Sequence, residues 1–220
     1  MKTAEPPATE ELLSRAASGD GLAMGDLLAR YRDRLRRMVA LRMDSRLAAR
    51  VDASDIVLDA LAAAASQMSG YLRDRSIPFY LWLRRIAWHR LVDVYRRHVG
   101  RQCRSVLREE PLGLNDDSAM QLSDQLLASK ADPVRRLIRD ELRARVKAML
   151  VQLSEQDQEI LVLHHLEQLS MSECAVIMNV SMAAAKKRYV RAIARLRDLL
   201  GPVENGWQIK SSDASHQRKF

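Results

Sequence analysis

Three residues stand out as capable of covalent or metal chemistry: His164, His165 and Cys174. Adjacent positions on a helix point to different sides, so the two imidazoles do not converge on one ion. No Gly-rich phosphate loop and no HExxH pattern accompanies them. Cys103 and Cys174 are far apart, and neither has a CxxC or CxxxC partner. A disulfide framework or a structural zinc site is therefore not expected, and nothing around either thiol suggests a lowered pKa. No catalytic residue, no metal ligand and no cofactor follows from the sequence.

The remaining chemistry is non-covalent, and its carriers are cations and rings. The chain has 220 residues, a formal net charge of +8 and a pI near 9.9. Such a basic chain suits a polyanionic partner, because phosphate contacts come mainly from Lys and Arg. The charge is unevenly placed. Residues 81–104 hold seven arginines (84, 85, 90, 96, 97, 101, 104) against Asp93. Residues 183–200 hold Lys186, Lys187, Arg188, Arg191, Arg195 and Arg197 against Asp198. Between them, residues 105–133 carry a net charge of −4. Six of the ten aromatic residues (Tyr71, Phe79, Tyr80, Trp82, Trp88 and Tyr95) fall between positions 71 and 95, interleaved with the first arginine cluster. Rings and guanidiniums beside one another can stack on bases while the charges follow a phosphate backbone. Taken singly, Phe79, Trp82 and Trp88 read as core residues; taken together with the arginines they suit single-stranded nucleic acid.

The elements that must position these groups are helices. Glycine and proline are scarce, long stretches are rich in Ala, Leu and Arg, and no run alternates with period two, which makes an all-α fold the expectation. Asp52-Ala-Ser-Asp55 opens a helix that continues through Ile56, Val57 and Leu61 to about Ser66. A loop from Gln67 to Pro78, containing Gly70, leads to a helix from about Phe79 to His98. Pro111, Gly113, Asn115, Asp116, Asp117 and Pro133 mark residues 105–133 as a flexible acidic linker. Further on, Ser154 suits an N-cap with acids in the first turn. Ser170 and Glu173 form a capping box. That second helix should end near Met178-Asn179, where Asn tolerates the left-handed conformation. Ser181 then caps a third helix to about Leu200, before Gly201-Pro202. On it Ala185, Tyr189, Ala192, Ile193, Leu196 and Leu200 share one arc, and Lys186, Lys187, Val190 and Arg191 lie opposite. This is a helix-turn-helix whose last helix has one face for a core and one for a major groove. An ordinary surface helix would also carry a basic face; the capped helix before it favours DNA. Arg195 and Arg197 lie further along, where phosphates rather than bases are expected.

Leu153-Ser-Glu-Gln-Asp-Gln-Glu-Ile-Leu-Val-Leu163, Leu169-Ser-Met-Ser-Glu-Cys-Ala175 and Val180-Ser-Met-Ala-Ala-Ala-Lys-Lys-Arg-Tyr-Val-Arg-Ala192 resemble region 4 of sigma-70-type factors. That region reads the −35 promoter element. Ala183 and Ala184 stand where Gly-Thr is common. Val51-Asp-Ala-Ser-Asp-Ile-Val-Leu-Asp59 resembles region 2.2, and Pro78-Phe-Tyr-Leu-Trp-Leu-Arg-Arg-Ile-Ala-Trp-His-Arg-Leu-Val-Asp-Val-Tyr-Arg-Arg97 resembles regions 2.3 and 2.4. Leu58 stands where the family usually has Gln, and His89 where Asn is common. Both modules occur in order with no region 3 domain between them, which resembles the extracytoplasmic-function (group IV) class; the wording around 50–59 and 78–97 resembles a planctomycete-type subgroup.

The resemblance implies a sigma factor that binds core RNA polymerase and directs promoter-specific initiation. It implies region 2 at residues 10–104, the acidic linker at 105–133 threading a basic channel of the polymerase, region 4 at 134–200, and a polar tail at 201–220. Asp52, Asp55, Leu58 and Asp59 would dock on the β′ clamp helices, and the polymerase β flap is a further implied contact. Phe79, Trp82, Arg84, Arg85, Trp88, His89, Arg90, Arg96 and Arg97 would hold the melted −10 strand. Lys186, Lys187, Arg188, Val190, Arg191 and Arg195 would read the −35 duplex. Promoter DNA and an anti-sigma factor are the further partners implied. The competing reading is a helix-turn-helix regulator that never touches the polymerase core; it calls for a palindromic site and a dimer, and no dimerisation helix with sustained heptads is present. Met1–Glu11 carries charges and prolines without an apolar core and is not expected to be a signal peptide. The longest apolar stretch is too short to span a bilayer, so a cytoplasmic location without membrane insertion is expected.

Overall fold

The computed structural model describes residues 7–98, 116–127 and 136–200. The linker residues 105–115 and 128–133, Arg101, Cys103, Arg104 and the tail 201–220 lie outside the described residues. Every regular element described is helical, as expected: α1 (Pro7–Ala17), α2 (Gly21–Arg42), α3 (Ser45–Ala48), α4 (Ala53–Arg73), α5 (Phe79–His98), α6 (Asp116–Leu126), α7 (Arg136–Gln152), α8 (Glu155–Leu161), a π-helical turn (Val162–Leu166), α9 (Met171–Ile177) and α10 (Met182–Leu200). The chain divides into two compact units, Met1–Leu112 and Gly113–Phe220. Among the described residues no helix is long and apolar enough to cross a membrane.

In the first unit α5 is the central helix, packed against both α2 and α4. Its first six residues, Phe79 to Arg84, are all buried, because a helix flanked on several sides has no solvent face left. Phe79 sits among Tyr31, Tyr71 and Trp82 at centroid distances of 5.6, 5.3 and 5.6 Å, and Tyr71 stacks on Trp82 at 4.7 Å. Each such pair adds about 0.5–1.5 kcal/mol beyond the area it buries. The Tyr95 hydroxyl accepts from the Asp44 amide (2.7 Å) and donates to the Arg42 carbonyl (3.1 Å), fixing the far end of α5 to the α2–α3 junction. α1 ends on Gly19 at φ +92°, a left-handed stop that glycine adopts without steric cost. Asp20 then caps α2 by accepting from the amides of Leu22 and Ala23.

Two elements differ from what the sequence predicts. α4 runs to Arg73 rather than ending at Ser66. Met68 and Tyr71 prolong its buried stripe, so Gly70 is a helical residue and the loop shrinks to Asp74–Pro78. The second difference concerns the linker, of which residues 116–126 are helix, not flexible strand. Ser118, Ala119, Leu122, Ser123 and Leu126 are buried at helical spacing, and α6 packs on α7 and the π turn. Asp116 lies 3.1 Å from Lys147, and Asp124 pairs with Arg143. Acids in its first turn also favour the helix through the dipole.

Leu122 is fully buried. Leu122→Ala should therefore destabilise the second unit by about 2–5 kcal/mol, read from urea unfolding. An unchanged midpoint would mean that α6 is not docked.

Candidate nucleic-acid interface

The helix-turn-helix forms as its local chemistry dictates. The Ser154 hydroxyl accepts from the Asp157 amide at 3.3 Å. Ser170 and Glu173 make the reciprocal capping box, with the Ser170 amide donating to Glu173 at 2.8 Å and the Glu173 amide donating to Ser170 at 3.3 Å. α9 ends with Asn179 at φ +50°, the Asn179 amide on the Val176 carbonyl and the Val180 amide on the Ala175 carbonyl, a Schellman stop. The Ser181 hydroxyl accepts from the Ala184 amide at 3.1 Å and opens α10. Ahead of α9, the π turn ends with Gln168 at φ +56°, which no residue type in the sequence announces.

α10 divides as expected. Ala185, Tyr189, Ala192, Ile193 and Leu196 are buried, while Lys186, Lys187, Val190 and Arg191 are exposed and Arg188 is half-buried. The Leu200 side chain lies outside the described residues. Arg195 is exposed but also makes an internal contact. Its guanidinium donates to Asp157, a residue with no exposed side-chain surface, and Arg191 stands 3.6 Å from the other Asp157 oxygen. Arg195 thus fastens α10 to the start of α8. Nothing in the sequence distinguishes Asp157 beyond its place in a capped first turn.

Behind α10, His165 lies 3.2 Å from the Tyr189 hydroxyl, and His164 lies 2.8 Å from the Leu169 carbonyl. Burial, then the neighbouring His164, push the His165 imidazole down to about 4. Cys174 is buried. No group of three or more potential metal-ligating residues gathers among the described residues.

In the first unit, α4 presents Asp55, Leu58 and Asp59 on one exposed face, with Ile56, Val57 and Ala60 buried on the other. Asp52 is the N-cap, accepting from the Ser54 amide at 2.6 Å. That amide, and then the Ser54 hydroxyl, hold the Asp52 carboxyl below the usual carboxylate range.

The residues expected to hold a melted strand separate into two groups. Phe79, Trp82 and Arg84 are buried. The rings of Phe79 and Trp82 face other rings and are packed in the core rather than open to stack on a base. Arg84 and Arg42 flank the Trp88 ring at 5.9 and 5.8 Å. Arg85, His89, Arg96 and Arg97 are exposed, and Trp88 and Arg90 are half-buried. Helical spacing puts Arg85, His89 and Arg96 on one stripe of α5.

Residues 143–196 match the family "Sigma-70, region 4", a span that runs from within α7 to within α10 and includes the whole helix-turn-helix. RNA polymerase sigma factor CnrH of Cupriavidus metallidurans is 30% identical over 191 residues, 86% of this chain and 92% of CnrH. The chain belongs to the sigma-70 family of RNA polymerase sigma factors. RNA polymerase sigma factor NccH of Alcaligenes xylosoxydans xylosoxydans is likewise 30% identical, over 89% of this sigma factor and 96% of NccH. A solved structure of CnrH in complex with the cytosolic domain of CnrY superposes with a TM-score of 0.51 at 27% identity, covering 88% of this sigma factor and 97% of that chain. The relatives place it in the extracytoplasmic-function branch. Sigma factors bind core RNA polymerase and promoter DNA and direct the start of transcription. A regulator independent of the polymerase is not favoured.

Two outcomes test this geometry. Lys187→Gln should lower the slope of log affinity against log salt by about 0.9 on DNA, whereas Arg195→Gln should weaken the fold and leave that slope in place. His165 binds a proton more readily unfolded, near 6.5, than folded, near 4. Stability of the second unit should then be full above about pH 6.5 and fall toward pH 4, and His165→Phe should flatten that part of the urea-midpoint profile.

Proposed function

We propose that the two units grip a promoter at two places while the polymerase holds both. α10 lies in the major groove of the −35 duplex. Lys186 and Lys187 face base edges and phosphates, and Val190, 58% exposed, meets a thymine methyl. Arg188 and Arg191 follow the backbone. In the first unit the Asp74–Pro78 loop and the Arg85, His89 and Arg96 stripe of α5 hold the unstacked −10 strand. Arg97, Arg90 and Trp88 stand at the margins, and Phe79, Trp82 and Arg84 act from behind. Asp55, Leu58 and Asp59 dock on the β′ clamp helices, with Asp52 shaping the start of that helix, and the second unit meets the β flap. Of the acidic linker 105–133, the part outside α6 runs in the polymerase channel, while α6 stays packed on α7 and the π turn. The domain assignment is region 2 over 10–104 and region 4 over 134–200, with α6 now packed alongside region 4.

One observation carries this reading. The cationic stripes of α5 and α10 face solvent while the opposite faces of the same helices are core. The chain acts without catalysis of its own, in the cytoplasm where the polymerase works. As CnrH forms a complex with the cytosolic domain of CnrY, this chain takes a protein partner of that kind, an anti-sigma factor.

Run-off transcription with core polymerase on a genomic promoter library tests the proposal. Addition of the chain should create new start sites, and Asp55→Ala with Asp59→Ala should abolish both those starts and core pull-down. Arg85→Ala should slow open-complex formation with little loss of stability, whereas Trp82→Ala should lower stability by about 3–5 kcal/mol. Unchanged start-site selection would overturn the proposal.

A further inference from the structure

The loop between α4 and α5 has five residues, Asp74 to Pro78, and the structure holds it from behind. The Tyr71 hydroxyl donates to the Ile77 carbonyl at 3.1 Å. Arg75, the second residue of the loop, turns inward to α1: its Nη1 donates to Glu10 at 2.9 Å and its Nη2 to the Leu13 carbonyl at 3.3 Å. Asp74 and Ser76, on either side of Arg75, are left exposed. α1 itself is fixed independently of the loop, by the fully buried Leu13 and by the buried hydrogen bond of Thr9 with Tyr31 at 2.9 Å.

A basic residue in a loop that faces melted DNA is expected to point at phosphate. Arg75 does the opposite. Its side chain is 26% exposed and its guanidinium is already shared by a carboxylate and a carbonyl. A partly exposed ion pair contributes little to global stability. It can nevertheless decide the position of a short loop, because the loop has few other ways to be held and a base pocket tolerates little displacement.

We infer that Arg75 is a positioning residue for strand capture, and that Glu10 and the Leu13 carbonyl of α1 are its anchor. The N-terminal helix then belongs to the −10-reading apparatus without touching DNA. The latch sets the spacing between the Asp74–Ser76 tip and the Arg85, His89 and Arg96 stripe. This rests on the reading of that loop as part of the −10 site.

The test uses holoenzyme reconstituted from core polymerase and the full chain, on the strongest promoter recovered from the run-off library, with 2-aminopurine in the non-template −10 strand. Arg75→Gln and Glu10→Gln should each slow opening, by about threefold or more, with core affinity unchanged. The sign for Glu10 is decisive. Were Arg75 a phosphate contact, removing Glu10 would release it and speed association, and Arg75→Gln would lower the salt slope. Either result overturns the latch. Thr9→Val, which removes one tie of α1 while leaving Leu13 buried and the Arg75–Glu10 pair in place, should lower thermal stability and slow opening clearly less than Arg75→Gln does. If it slows opening as much as Arg75→Gln does, Arg75 has only a structural role. The loop reading has its own control in Asp74→Ala with Ser76→Ala. If that pair is silent, the −10 assignment of the loop fails and the latch with it. If the pair slows opening while the Arg75 and Glu10 variants do not, the latch alone fails.

Discussion

A cation already paired tightly within its own chain is less available to a phosphate than one that faces only water. That constraint organises this protein. In α10 the cations of the outer face meet a single acid within the helix, Asp198, and no carboxylate stands within ion-pair distance of Lys186 or Lys187 among the described residues. In α5 the sole acid, Asp93, lies 3.7 Å from Arg96 and leaves Arg85 clear. A basic face of this kind repels itself, and it survives because the opposite face of the same helix is buried. Ala185, Tyr189, Ala192, Ile193 and Leu196 hold α10 in place while its charges stay hydrated.

Where the chain does pair its cations, the pairing builds structure. Asp157 is fully buried and binds Arg195, with Arg191 alongside. A carboxylate removed from water needs such partners, and α8 and α10 are joined in the process. Arg75 serves the first unit in the same way. A count of positive residues therefore overstates the number of phosphate contacts, since some arginines are internal fasteners.

The structure is most legible in the sequence where its determinants are local. Ser154, Ser170 with Glu173, Asn179 and Ser181 each act within three or four residues, and each does in the structure what its type predicts. The split face of α10 was legible for the same reason, because periodicity and burial coincide. The structure is least legible where distant elements decide. Phe79 and Trp82 carry the composition of a stacking platform, but Tyr31 of α2 and Tyr71 of α4 enclose them. Neither ring's surroundings can be read from α5 alone. Gly70 looked like a loop residue, yet Met68 and Tyr71 continue the stripe across it. The acids and prolines around 105–133 masked a short run, Ala119 to Leu126, whose partners lie in α7 and the π turn. Asp157 and Arg75 gave no signal, because their significance depends on what lies opposite.

The brevity of α8 and α9 has a consequence for how the second unit fails. Each has seven residues, and helices of fewer than about 12–15 residues do not persist alone in water. Both depend on packing against α10, so the groove-reading turn has no existence as a local motif. Its stability is that of the packed unit as a whole. A chain interrupted before α10 would keep only the packing of α8 and α9 on the π turn and would bare the apolar surface that α10 covers, and exposed apolar surface of that kind is what cellular proteases and chaperones act on.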